Sequence, residues 1–210
     1  MNKLEIKVPT SWQDVNIRKF EKLQEINNND ESADFKIVSV LCDLDIDVVE
    51  TLPMNTFSEI LNKLKFLSEL PKPHKPAKQL IVNEQIVNCC LSSQEMIAAQ
   101  FFDYKNYLSN DVDKKTARLL SCFMTPDGYE YNDGYDSEEW IDFLNENISV
   151  VEVQSYTNFF TLTFKSFAAA ILQYSIKQVK KMKLSKEEKE MMLIPLQQTM
   201  DIIKSGGFLQ

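Results

Sequence analysis

The chain should fold as a mainly α-helical domain with a minor β component: about seven to nine helices, one small β-hairpin and a short N-terminal strand. Three observations carry this expectation. Apolar residues recur every three or four positions through most of the 210 residues, as one buried helix face requires. Two helix-start signatures, Ser92-Ser93-Gln94-Glu95 and Ser185-Lys186-Glu187-Glu188, have the spacing of capping boxes. Only one pair of short runs, Gln79–Val82 and Gln85–Cys89, reads as a hairpin, with Asn83-Glu84 as its two-residue turn.

Taken in order, Leu4–Val8 alternates as a short strand does, and Thr10 or Ser11 caps a turn through Trp12. Ile17, Phe20, Leu23 and Gln24 mark a helix that the Asn27–Asp30 run stops. Phe35, Val38, Leu41 and Cys42 mark a second helix. A brief third, capped by Asp45 or Asp47, closes at Pro53, and a fourth starts at Asn55 or Thr56. Pro71-Lys72-Pro73-His74-Lys75-Pro76 denies helix and favours an extended path, so it reads as a linker. It divides residues 1–70 from 79–210 within what is most simply one domain. Behind Ser92 lies a helix with Met96, Ala99, Phe102, Tyr104 and Leu108. The next is capped by Asp111 or Asp113 and has Ala117, Leu120 and Met124 on its apolar face. Ser137 caps a helix containing Trp140, Ile141 and Leu144. Ser149 opens the longest helix, towards Met182, with an aromatic stripe from Tyr156 to Tyr174. In the last helix Pro195 should introduce a kink, and Gly206-Gly207 should cap its end.

Composition narrows the function classes. Net charge is −8 and the pI near 4.8, a balance unsuited to neutralising nucleic-acid phosphates. Met1–Glu5 has no apolar signal-peptide core. Phe159–Ile176 is interrupted by Lys165 and several hydroxyl residues, so no membrane span is expected. Cys42, Cys89, Cys90 and Cys122 lack metal or redox spacing and read as reduced core thiols. His74, the only histidine, sits among prolines with no nucleophile beside it. No glycine-rich phosphate loop occurs. No catalytic residue, metal ligand or cofactor site is expected, and the chain reads as a non-enzyme.

One segment is distinctive. Pro126 to Asp136 holds two of the four glycines, and Tyr129, Tyr131 and Tyr135 of the seven tyrosines. With Gly134 at position 6 of a calcium loop, Tyr129, Tyr131 and Asp133 take the ligand places and Trp140 the twelfth. The pattern therefore fails. Asp127-Gly128 and Asp133-Gly134 are turn formers. Two uses of the tyrosines stay open: packing on the flanking helices, or gripping a protein partner.

Several segments together resemble tail-assembly-chaperone-like proteins of tailed bacteriophages infecting gut Bacteroidetes. They are Ser11–Val15 before a helix; Ile37–Leu41 leading to Leu52-Pro53 and Leu64–Leu67; the hairpin followed by Gln100–Tyr104; and Leu119–Ser121 with Tyr131–Tyr135 and Asn158–Phe160. The resemblance covers about Val8 to Tyr174 and is one of pattern. It implies a non-enzymatic protein of the infected host's cytoplasm that binds the tape-measure protein or tail subunits. The related alternative is a structural virion component of the neck, ring or baseplate. Expected partners are other phage structural or tail proteins, with homo-oligomers possible, and neither nucleic acid nor membrane.

Overall fold

The computed structural model describes residues 6–27, 30–92 and 95–205. Nine α-helices and one three-stranded antiparallel sheet lie among them, so the mainly helical class with minor β holds. The helices are α1 (Ile17–Gln24), α2 (Ala33–Cys42), α3 (Ile46–Glu50), α4 (Met54–Lys63), α5 (Ala98–Ser109), α6 (Lys115–Ser121), α7 (Ser137–Asn147), α8 (Val150–Lys181) and α9 (Lys186–Ser205). The strands are β1 (Gln79–Val82), β2 (Gln85–Cys89) and β3 (Met124–Pro126). The chain divides into two compact units. One takes in Met1–Leu91 and Met96–Tyr156, the other Ser92–Glu95 and Thr157–Gln210.

In the first unit, α1 starts where Asn16 accepts a hydrogen bond from Lys19 N at 2.9 Å. The residues flanking Asn16 join the early chain to the late chain. Ile17 N donates to Ile148 O at 3.1 Å and Val150 N to Val15 O at 2.9 Å. All four side chains are buried, so the bridge has a dry interior. A helical core of Val38, Leu41, Val49, Ile60 and Leu64 lies alongside, with Phe35 stacked on Phe57. The amphipathic spacing of Phe35, Val38 and Leu41, and of Phe57, Ile60 and Leu64, is what marks α2 and α4 in the sequence.

Asn83 and Glu84 both have positive φ, 45° and 66°, as a two-residue hairpin turn demands. Val87 and Cys89 face the core, whereas Ile81 and its cross-strand neighbour Ile86 face outward. β2 is central, because β3 pairs with its other side. This third strand was not expected, and it takes Met124 off the apolar face of the preceding helix. Three residues ending in proline give no strand signal, and Pro126 is tolerated because β3 is an edge.

Other boundaries are corrected. Ile6–Val8 form no strand, since Ile6 and Val8 pack on the helical core instead. Leu4 and Glu5 lie outside the described residues, as do Ser93, Gln94, Gly206 and Gly207. Helix α4 begins at Met54 behind Pro53, not at Asn55 or Thr56. Helix α5 begins at Ala98, past Ser92 and Met96. Its start is held by Gln100, whose Oε1 accepts Ile97 N at 2.9 Å and whose Nε2 donates to Cys122 O at 2.9 Å. Of the face expected to be apolar, Tyr104 packs edge-to-face on buried Phe123 at 5.1 Å, whereas Phe102 is 67% exposed. Neither Asp111 nor Asp113 caps α6. Lys114 does so by position, with φ 48°, while Asp113 is engaged by Arg118.

The proline segment is fastened down rather than free. His74 N donates to Ser155 Oγ at 2.9 Å, and Tyr156 OH donates to Ala77 O at 2.6 Å. Pro71 is buried. The segment is thus a strap along the first turns of α8.

In the second unit, the capping box expected at α9 is present. Ser185 N donates to Glu188 Oε2 at 2.8 Å and Glu188 N to Ser185 Oγ at 3.2 Å. Val179 and Met200 are buried, and α9 runs through Pro195. Among the described residues, no helix is long and apolar enough to cross a membrane.

Candidate functional site: the tyrosine loop and its groove

The loop between β3 and α7 has two tight turns, with φ of +81° at both Gly128 and Gly134. Only glycine takes such angles without strain. Gly134 also makes room for an aromatic ring. A Cβ there would lie 2.9 Å from Cδ1 of Tyr129, closer than side chains approach.

The loop ends in a helix start. Asp136 Oδ1 accepts from Glu138 N at 2.9 Å and Glu139 N at 3.0 Å, so Asp136, and not Ser137, caps α7. Arg118 of α6 grips Glu138 with two bonds of 2.8 and 2.9 Å, fixing α6 against α7. Trp140 is buried, and its Nε1 donates to Met124 O at 2.8 Å, which covers the outer edge of β3.

The three tyrosines do different things. Tyr131 turns inward, and its hydroxyl donates to Asp103 Oδ2 of α5 at 2.8 Å. Burial raises its pKa far above the ordinary value, with Cys122 and Asp103 pushing the same way, so it stays a donor. Tyr135 is half-buried. Its ring meets Trp140 edge-to-face at 6.2 Å, and its hydroxyl oxygen accepts Asn132 N at 3.2 Å. Burial raises its pKa too. Tyr129 meets Tyr135 edge-to-face at 5.9 Å, yet remains 48% exposed. The loop therefore brings Tyr129 and Tyr135 together and sends Tyr131 elsewhere.

Beside that pair lies an open groove of about 490 Å³ between the hairpin and α7. Tyr129, Tyr135, Trp140, Phe143 and Ile86 supply its apolar surface. Trp140 and Phe143 stack at 5.1 Å and 10°. Ile81, 80% exposed, extends the apolar strip from Ile86 across the hairpin. Asp127, Asp136 and Glu139 are the groove's charged residues, and among the described residues no Lys, Arg or His lines it. Sequence reasoning missed Ile86 and Phe143. Ile86 had a signal, because strict alternation with buried Val87 sends it outward.

Cys89 and Cys122 are unsuited to nucleophilic chemistry. Burial pushes Cys89 up to about 11 and Cys122 up to about 12, so both are neutral thiols near pH 7. Among the described residues, no three His, Cys, Asp or Glu side chains are grouped to hold a metal ion. No protein-family model, curated protein or solved structure matches the chain.

Proposed function

We propose that this chain is a non-enzymatic phage protein that binds other tail proteins, the tape-measure protein or tail subunits, during tail assembly in the host cytoplasm. The observation that carries the protein-binding part is the exposed Tyr129 ring, held over Gly134 beside an open aromatic groove. Tyrosine gives contact area at little entropic cost, and a rigid exposed aromatic is the usual anchor of a protein interface. The tail-assembly part rests on the resemblance of the segments from Val8 to Tyr174. That resemblance also supports the alternative, a structural component of neck, ring or baseplate.

The test is composition. Affinity capture of the tagged protein from infected cells, followed by mass spectrometry, should recover tape-measure or tail-subunit protein in stoichiometric amount. Purified particles should lack the protein. Stoichiometric presence in particles would select the virion alternative, and recovery of neither tail protein nor particle would overturn both.

A further inference from the structure

The carboxylates of α7 fall into two sets. Glu138 is paired with Arg118, and Asp142 is paired with Lys114. Glu139, on the groove side, forms no ion pair among the described residues, and nor do Asp127 and Asp136 at the same rim. Two of the three have local duties: Asp136 caps α7, and Asp127 Oδ1 accepts Asn88 Nδ2 at 3.0 Å. The Glu139 carboxylate has no hydrogen-bond partner among the described residues; only its backbone N–H is engaged, by Asp136. The groove therefore joins a strip of exposed apolar side chains, Ile81, Ile86 and Tyr129, to a rim of uncompensated negative charge.

We infer that this groove takes a basic segment of a partner polypeptide, seating an aliphatic or aromatic anchor on Ile86 and Tyr129 and flanking Lys or Arg side chains on Asp127, Asp136 and Glu139. Charge complementarity selects this occupant. An acidic or neutral segment would leave the charges of all three carboxylates beside an apolar contact without an ionic partner, whereas a basic one supplies it and is steered in by the field. A guanidinium or ammonium group can in addition lie against the Tyr129 and Tyr135 rings, whose faces attract cations.

This inference names the partner chemistry of the site proposed above and rests on that protein-binding reading. The test uses the full chain and two synthetic twelve-residue peptides that share a Leu-Phe core, one flanked by Lys and Arg and the other by Glu. In calorimetric titration the basic peptide should bind one to one, and the acidic peptide should not bind. The Gly134 amide resonance, beside the Tyr129 ring, should shift on binding. Glu139→Lys should weaken binding at least tenfold. Glu139→Gln, which is milder on the helix start, should weaken it several-fold with the fold unchanged by circular dichroism. Equal binding of both peptides, no binding of the basic peptide at millimolar concentration, or indifference to both variants would overturn the inference. Concentration-dependent self-association abolished by Glu139→Lys would assign the groove to a second copy and overturn it as well. Loss of peptide binding with tail-protein capture intact sinks the groove chemistry alone. Peptide binding without tail-protein capture sinks the tail-assembly reading alone.

Discussion

His74 Nε2 lies 3.0 Å from Glu152 Oε1, while His74 Nδ1 lies 3.0 Å from the carbonyl oxygen of Lys75. Both neighbours accept hydrogen bonds, so both contacts are made together only when both ring nitrogens carry protons. The Lys75 carbonyl raises the His74 pKa above 6.5; desolvation opposes it, and the charge and hydrogen bond of Glu152 add to the rise. A raised folded-state pKa stabilises the fold fully below the unfolded value near 6.5. That contribution is lost as pH rises through the folded value.

Urea midpoints measured from pH 5.5 to 9 should therefore show a gap between the wild type and His74→Ala. The gap should be widest at the acid end and narrow above neutrality. The ring is 41% exposed, so the effect is modest. A gap that widens with pH would contradict the strap's geometry.

Tyr131→Phe removes the hydroxyl that reaches Asp103 but keeps the ring. It should destabilise by about 1 kcal/mol, the usual worth of one hydrogen bond. Denaturant melts of Tyr131→Phe, Asp103→Ala and the double variant should reveal coupling between the two. Strictly additive losses would show that the bond contributes nothing.

Gly128 and Gly134 share the same φ, yet their surroundings differ. An alanine Cβ at Gly128 meets nothing within 4 Å, whereas at Gly134 it strikes the Tyr129 ring. Gly128→Ala should cost about 1 kcal/mol, from backbone strain alone. Gly134→Ala should cost at least as much and also displace Tyr129, seen as a shift of its ring resonances. Equal effects on that ring would contradict the packing described.

The helices were largely legible because a buried helix face repeats every three to four residues, as Val38, Leu41 and Cys42 show in α2. What stayed hidden depends on contacts between distant positions. The strap's bonds to Ser155 and Tyr156 span about eighty residues, and nothing in Pro71–Pro76 announces them. Met124–Pro126 becomes a strand only because β2 offers an edge and Trp140 covers the far side. The tyrosine loop was visible as a segment, but its division of labour was not. Tyr131 and Tyr135 differ in fate because Asp103 waits for one and Trp140 for the other.

Tyr129 carries the central claim, and one substitution isolates it. Its ring is exposed and makes no hydrogen bond that holds the fold, so Tyr129→Ser should change stability by no more than about 1 kcal/mol. The decisive measurement is the affinity of purified tape-measure protein or tail subunit for the wild type and for Tyr129→Ser. The predicted result is binding to the wild type that weakens at least tenfold in the variant. A folded Tyr129→Ser protein that binds the same partner as tightly as the wild type would contradict the account.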